Sequence, residues 1–253
     1  MPKLTDRTAL VTGASRGIGR AIAERLAREG ALVAVHYGTS AEAAEQVVAG
    51  IRAEGGRAFA VQAEMGPAEG VDTLFASLEA QLKEHTGDTR LDILVNNAGI
   101  MGTALPGEIT DEWFDRMMTV NAKAPLFVTQ RALGLIPDHG RIINISSGLT
   151  RFAAPEQVTY AMTKGALEQV TLHLARHLGR RRITVNTVAP GSTDNGSEVF
   201  QNPEIRAVMS QFSTFGDVAE PAAIADVVAF LASEDARWIT GAFVDTSGGT
   251  LLG

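Results

Sequence analysis

The chain has 253 residues, 45% of them apolar and 20% charged, an ordinary globular composition with ample length to bury a core. Its 22 Lys and Arg against 29 Asp and Glu give a net charge of −7, which argues against nucleic acid or an anionic membrane as a main partner. Cysteine is absent, excluding disulfides and thiol chemistry. No uninterrupted apolar run approaches a membrane span, and the first residues do not read as a signal peptide, so no membrane association and a cytoplasmic location are the expectations.

In chain order, short apolar runs at 8–11, 31–35, 57–61, 91–95, 141–145, 183–188 and 242–245 alternate with longer segments at 17–29, 41–53, 69–83, 111–135, 157–179 and 221–233. The runs put Val, Ile and Leu on successive positions, the pattern of strands buried on both faces. Each longer segment is long enough for a helix. Thr110, followed by Asp111 and Glu112, supplies an N-cap and an acidic first turn, and Pro125 should break or kink the segment it sits in. Ala166, Val170, Leu174 and Leu178 recur every four residues as one apolar stripe. Repeated strand-then-helix units predict an α/β fold: one Rossmann domain over 1–253 with a doubly wound, seven-stranded parallel sheet. The rhythm fails only over 191–215, rich in Ser, Thr, Asp, Asn and Gly, which reads as a substrate lid or a surface excursion.

Residues 12–19, Thr-Gly-Ala-Ser-Arg-Gly-Ile-Gly, follow the first strand and open the first helix. Gly13 permits the tight turn, Gly17 and Gly19 permit close approach of backbone to a pyrophosphate, and the helix start offers free N–H groups to the anion. A carboxylate at the end of strand two would hold the ribose hydroxyls of NAD. Here that end reads Val35-His36-Tyr37-Gly38-Thr39-Ser40, with no carboxylate, while Arg16 in the glycine loop can face a 2′-phosphate and Thr39 and Ser40 add hydroxyls. NADPH is therefore favoured over NADH. His36 is a helper or merely the polar end of a strand.

Tyr160 and Lys164 stand at i and i+4, one helix face. An ammonium beside a phenol lowers its pKa, making Tyr160 a proton donor to a carbonyl oxygen or, in reverse, an acceptor. The spacing alone is common. Its company is not: Ser147 follows strand five, Asn96-Asn97-Ala98-Gly99 ends strand four, Pro190-Gly191 ends strand six, and Asn121 lies mid-segment, where its side chain can bind water. All but Asn121 fall at the carboxyl ends of strands, where open α/β sheets bind ligands.

With Thr12–Gly19, Asn96–Gly99, Asn121, Ser147, Tyr160, Lys164, Pro190-Gly191 and Ser247-Gly248-Gly249 in place, the chain resembles the short-chain dehydrogenase/reductase family over essentially its full length. Ser147 stands 13 residues before Tyr160, the family spacing. The resemblance implies Tyr160 as general acid, Lys164 as holder of the nicotinamide ribose and tuner of Tyr160, Ser147 as polariser of the carbonyl, and Asn121 as holder of a water that links Lys164 to solvent. It implies cofactor contacts from Gly13, Ser15, Arg16, Gly17, Ile18 and Gly19, from Tyr37, Ser40, Ala63 and Glu64, from Asn97, Ala98 and Gly99, and from Tyr160, Lys164, Pro190, Gly191 and Thr193. Glu64 stands where the family often has an Asp against adenine. Gln157, three residues before Tyr160, resembles the 3-oxoacyl-carrier-protein reductase and antibiotic ketoreductase branch, so Ser147, Gln157 and Tyr160 are the expected substrate contacts.

The expected activity is thus NADPH-dependent reduction of a ketone, a 3-oxoacyl thioester or polyketide-like carbonyl. An NAD-dependent alcohol or sugar dehydrogenase running in the oxidative direction and a non-catalytic dinucleotide-binding protein are the alternatives. His173 and His177 are four apart but lack a third ligand, so no metal is expected, and Arg180, Arg181 and Arg182 complement a helix end. Trp113, Phe114, Met117 and Met118 read as core or subunit interface. Family habit, with helices around 111–135 and 157–179 in a dimer contact, implies a homotetramer.

Overall fold

A computed structural model describes residues 2–66 and 69–252. The single domain expected over 1–253 therefore includes Met1, Pro67, Ala68 and Gly253, which lie outside the described residues. Seven strands, β1 (Thr8–Val11), β2 (Leu32–Tyr37), β3 (Arg57–Gln62), β4 (Ile93–Asn96), β5 (Arg141–Ile145), β6 (Thr184–Pro190) and β7 (Phe243–Thr246), form one sheet in the order β3-β2-β1-β4-β5-β6-β7. Every pairing is parallel. The expected doubly wound α/β fold is the observed one.

The helices are α1 (Gly17–Arg28), α2 (Ala41–Ala53), α3 (Gly70–Thr86), α4 (Asp111–Met118), α5 (Ala124–Ala132), α6 (Val158–Leu178), α7 (Pro203–Ser210) and α8 (Pro221–Ala232). Alternate residues of the central strands feed two cores. Ala9, Val11, Val33, Val35, Ile93 and Val95 meet α1, α2 and α8 on one face. Leu10, Leu32, Ala34 and Leu94 meet α3, α5 and α6 on the other. Both faces being covered explains why these strands read as unbroken apolar runs.

Three readings of the sequence are refined. Strand two runs to Tyr37 rather than Val35, so His36 lies within the sheet. Segment 111–135 is broken ahead of Pro125: α4 gives way to a π turn over Thr119–Lys123, in which the Ala124 N–H reaches back five residues to the Thr119 carbonyl, and α5 follows. The cause is Pro125, which has no N–H for the carbonyl four residues back, that of Asn121. Finally, the apolar stripe 166–170–174–178 is only in part the buried side of α6. Thr159, Thr163, Lys164, Leu167, Thr171, Ala175 and Leu178 face inward, while Ala166, Val170 and Leu174 are half-buried. Thr163, Lys164 and Thr171 are paired: for the last, Asn144 Nδ2 donates to Thr171 Oγ1 at 2.8 Å, and Thr187 Oγ1 donates to the same oxygen at 2.8 Å. Satisfied polar groups can be buried, and reading apolarity alone misses them. The cap at Thr110 forms as expected, its hydroxyl accepting the Trp113 N–H at 3.2 Å.

Candidate active site

The strand order reverses between β1 and β4, and the carboxyl ends of β1, β4, β5 and β6 lie side by side there. At the end of β1, Gly13 has φ +64°, and a Cβ on it would stand 2.9 Å from Ala98 Cα. A Cβ on Gly19 would overlap the Gly13 carbonyl oxygen and the Asn97 side-chain amide. Both glycines are sterically required, as their spacing suggests.

Thr12 and Asn97 lace this turn to β4. The Thr12 hydroxyl accepts the N–H groups of Asn97 at 2.9 Å and Ala98 at 3.0 Å, and Asn97 Nδ2 donates to the carbonyls of Thr12 and Gly13 at 2.9 and 3.1 Å. The Asn97 side chain is therefore occupied with the loop, which leaves Ala98 and Gly99 as the open part of that strand end.

The start of α1 carries no side-chain cap and no acid in its first turn. Its orphan N–H groups and positive dipole end are free for an anion. Arg16 is exposed beside them and makes no ion pair among the described residues, Ser15 and Ile18 are half-buried, and Gly17 lies against Asn195 of the segment 191–215. At the end of β2, Tyr37 is half-buried, and Ser40 precedes α2 with its hydroxyl unused for capping. Ala63 is buried, its N–H bonded to the Tyr37 carbonyl at 3.0 Å, while Glu64 is exposed. A glycine cradle, an uncapped helix start, a free guanidinium and an acid-free strand end fit a dinucleotide with an extra phosphate.

The residues expected to transfer protons converge beyond β5. Ser147 follows Ser146 and caps a short 3₁₀ turn (Gly148–Thr150), its Oγ accepting the Leu149 N–H at 3.2 Å. Lys164 is buried and donates from Nζ to the Ile145 carbonyl at 2.9 Å, with Nζ 5.7 Å from the Tyr160 ring centre. Burial lowers the Lys164 ammonium to a pKa of about 8. Burial pushes the Tyr160 phenol up to about 12, and the Ser147 hydroxyl pulls weakly the other way. Burial is the larger influence on the phenol, and it acts opposite to the lowering expected from Lys164.

Asn121 sits in the π turn. Its Oδ1 accepts the Ile100 N–H at 2.8 Å, and its Nδ2 donates to the Ile100 carbonyl at 2.8 Å and to Thr163 Oγ1 at 3.1 Å. The side chain is saturated. The group left for a water is the Asn121 main-chain carbonyl, which Pro125 deprives of its α-helical donor.

At the other end, Pro190 closes β6, Gly191 packs so closely on Ser247 that a Cβ would stand 2.8 Å from its carbonyl oxygen, and Thr193 is buried with Oγ1 on the Gly191 carbonyl at 3.1 Å. The following segment is not irregular throughout. It contains α7, capped by Asn202, whose Oδ1 accepts the Glu204 N–H at 2.9 Å, with Pro203 at the first helical position. Asn-Pro-Glu was a legible helix start. Gln157 is buried just ahead of Tyr160, and its Oε1 has no hydrogen-bond partner among the described residues. Phe152 and Phe212 meet edge-on at 5.4 Å, joining the loop after Ser147 to the end of α7. Met101, Leu105 and Phe215 are exposed apolar side chains on neighbouring loops.

A family signature described as Enoyl-(Acyl carrier protein) reductase matches residues 13–250. Versicolorin reductase 1 of Aspergillus parasiticus is 38% identical over 98% of this chain and 97% of its own. The chain belongs to the short-chain dehydrogenase/reductase family. Among solved structures of the short-chain dehydrogenase/reductase fold, the angucycline C-6 ketoreductase LanV with bound NADP superposes with a TM-score of 0.98 at 71% identity, covering 99% of this chain and 98% of that one. LugOII, described as a promiscuous reductase that catalyses keto-reduction at C1 during lugdunomycin biosynthesis, gives 0.98 at 62% identity, covering 99% of this chain and all of the other. As a short-chain dehydrogenase/reductase, the chain is an oxidoreductase acting on the C=O/CH–OH pair. Sequence reading placed Thr12 in the glycine motif without giving it a role, and it missed Ile100 and the part played by His36, structural partners whose only signal was their place in or beside a motif.

Proposed function

We propose that this protein reduces a ketone on a polycyclic aromatic polyketide, of the angucycline kind, to a secondary alcohol with NADPH. The observation that carries the reading is the joint placement of Ser147, Tyr160 and Lys164 beside the glycine cradle. LanV, also solved with NADP and rabelomycin at 69% identity, supports both the cofactor and the substrate class. NADPH supplies the hydride to the carbonyl carbon.

Ser147 donates a hydrogen bond to the carbonyl oxygen and orients it. The Tyr160 hydroxyl gives that oxygen its proton as charge builds there. Lys164 holds positive charge beneath Tyr160 and, with the Asn121 carbonyl and water, returns the proton. The buried, unpartnered Gln157 Oε1 is an acceptor for a substrate hydroxyl. Phe152, Phe212, Met101 and Leu105 give apolar walls suited to a flat ring system, and the segment 191–215 acts as the lid.

Assays of NADPH oxidation should show a higher kcat/KM for angucyclinone ketones than for an acetoacetyl thioester. The opposite preference would move the substrate to carrier-bound acyl chains. Arg16→Ala should weaken NADPH by about tenfold while leaving NADH unchanged, the effect of one charge-assisted contact to a 2′-phosphate. Equal losses for both cofactors would remove Arg16 from phosphate recognition. With saturating NADPH, turnover should be flat below pH 7 and fall by about tenfold per unit above pH 8. The Lys164 ammonium, its pKa lowered to about 8, is present below that value and lost above it. A profile flat to pH 10 counts against a charged Lys164 in the relay.

We also infer a homotetramer located in the cytoplasm. No helix among the described residues is long and apolar enough to cross a membrane. Leu126 and Phe127 on α5, Leu172 on α6, and Phe230 with Trp238, the last 84% exposed, are exposed apolar side chains, which supports contact with other subunits. Light scattering that gives four times the chain mass is the check.

A further inference from the structure

His36 lies inside the sheet at the end of β2 and is 2% exposed. Its Nδ1 accepts the Gly13 N–H at 2.9 Å, and its Nε2 lies 3.0 Å from the Ala63 carbonyl. Its own carbonyl accepts the Ala14 N–H at 2.8 Å. Gly13 is the first glycine of the phosphate loop, and Ala63 is the first residue after β3. One imidazole therefore joins the turn that meets the pyrophosphate to the strand exit that meets the adenosine.

We propose that His36 is a positioning residue for NADPH, a neutral imidazole clip that fixes the distance between the phosphate loop and the adenosine wall. The chemistry admits one protonation state. The Gly13 N–H needs an acceptor and the Ala63 carbonyl needs a donor, so the proton sits on Nε2. An imidazolium would set one N–H against another, and the other neutral tautomer would set a lone pair against a carbonyl oxygen. The clip also withdraws the Gly13 N–H from the anion site, leaving the phosphate to the orphan amides at the start of α1. An aliphatic side chain of similar size would fill the space but leave a buried donor and a buried acceptor unpaired, and the turn held at φ +64° would relax.

The proposal rests on NADPH as the cofactor, and the two fail differently. Wild-type protein that does not bind NADPH refutes the cofactor. His36→Leu that binds it as tightly as wild type refutes the clip. For His36→Leu, fluorescence titration should show NADPH weakened by about tenfold or more, the scale of two lost hydrogen bonds. Turnover at saturating NADPH and KM for the ketone should stay within about twofold, since no group that meets the carbonyl has moved. His36→Gln, which offers both an acceptor and a donor, should recover part of the affinity. A lower melting temperature with unchanged NADPH affinity would reduce His36 to a structural residue and overturn the proposal. Should both variants fail to fold, ¹⁵N NMR of the wild-type imidazole decides. The expected signature is the Nε2–H tautomer with no titration between pH 5 and 8, shifting when NADPH is added. A proton on Nδ1, or a resonance indifferent to NADPH, overturns it.

Discussion

Tyr160→Phe should lower kcat for ketone reduction by about a thousandfold, within the range that a positioned general acid contributes. The ring stays, so packing is preserved. The hydroxyl lost faces Ser147, which already binds the Leu149 N–H, so no new unpaired group of consequence is left behind. NADPH affinity should therefore change by no more than about threefold, because the phosphate cradle, Lys164 and the Ile145 carbonyl are untouched. Steady-state kinetics with a parallel NADPH titration separates the two quantities. A variant that keeps more than a tenth of wild-type turnover would show that the proton comes from elsewhere, water or Ser147, and the mechanism would have to be rebuilt around that donor.

Gly19→Ala carries the second large effect, and it acts on the cofactor. The added methyl would run into the Gly13 carbonyl and the Asn97 amide, and neither can yield. The first is backbone of the turn itself. The second is the group that ties the turn to β4 through the carbonyls of Thr12 and Gly13. Overpacking of this kind costs about 1–3 kcal/mol, which expressed as cofactor affinity is about 5- to 150-fold. NADPH binding should weaken by that factor and the melting temperature should fall by several degrees, while Tyr160 and Lys164, one helix and two strands away, keep their arrangement. Unchanged affinity in a folded Gly19→Ala protein would show that the loop is not the cofactor cradle.

The two substitutions mark how differently the parts of the site were written into the chain. Glycine spacing and the Tyr160–Lys164 interval are local properties. A tight strand-to-helix turn needs residues without a Cβ wherever the backbone crowds, and a helix puts residues four apart on one face in any context. These could be read directly, as could the buried parallel strands and their order of succession. Ser147 and Asn121 became meaningful only because their places relative to strand ends and to Tyr160 matched a family pattern.

What the sequence by itself determined was the α/β fold class, the glycine cradle with no acid at the end of β2, and the Ser147–Tyr160–Lys164 set. What only the tertiary structure decided was the balance of forces on those groups. Burial raises the Tyr160 phenol, and desolvation depends on what surrounds a side chain and not on its spacing from a lysine. The Asn121 side chain is taken up by the Ile100 main chain and by Thr163, partners that its own neighbours in the chain do not announce. His36 changed from the polar end of a strand to a two-sided clip because Gly13 and Ala63 meet only across three adjacent strands. Long-range hydrogen bonds and burial are set by which elements pack together, and no local pattern in the chain carries that information.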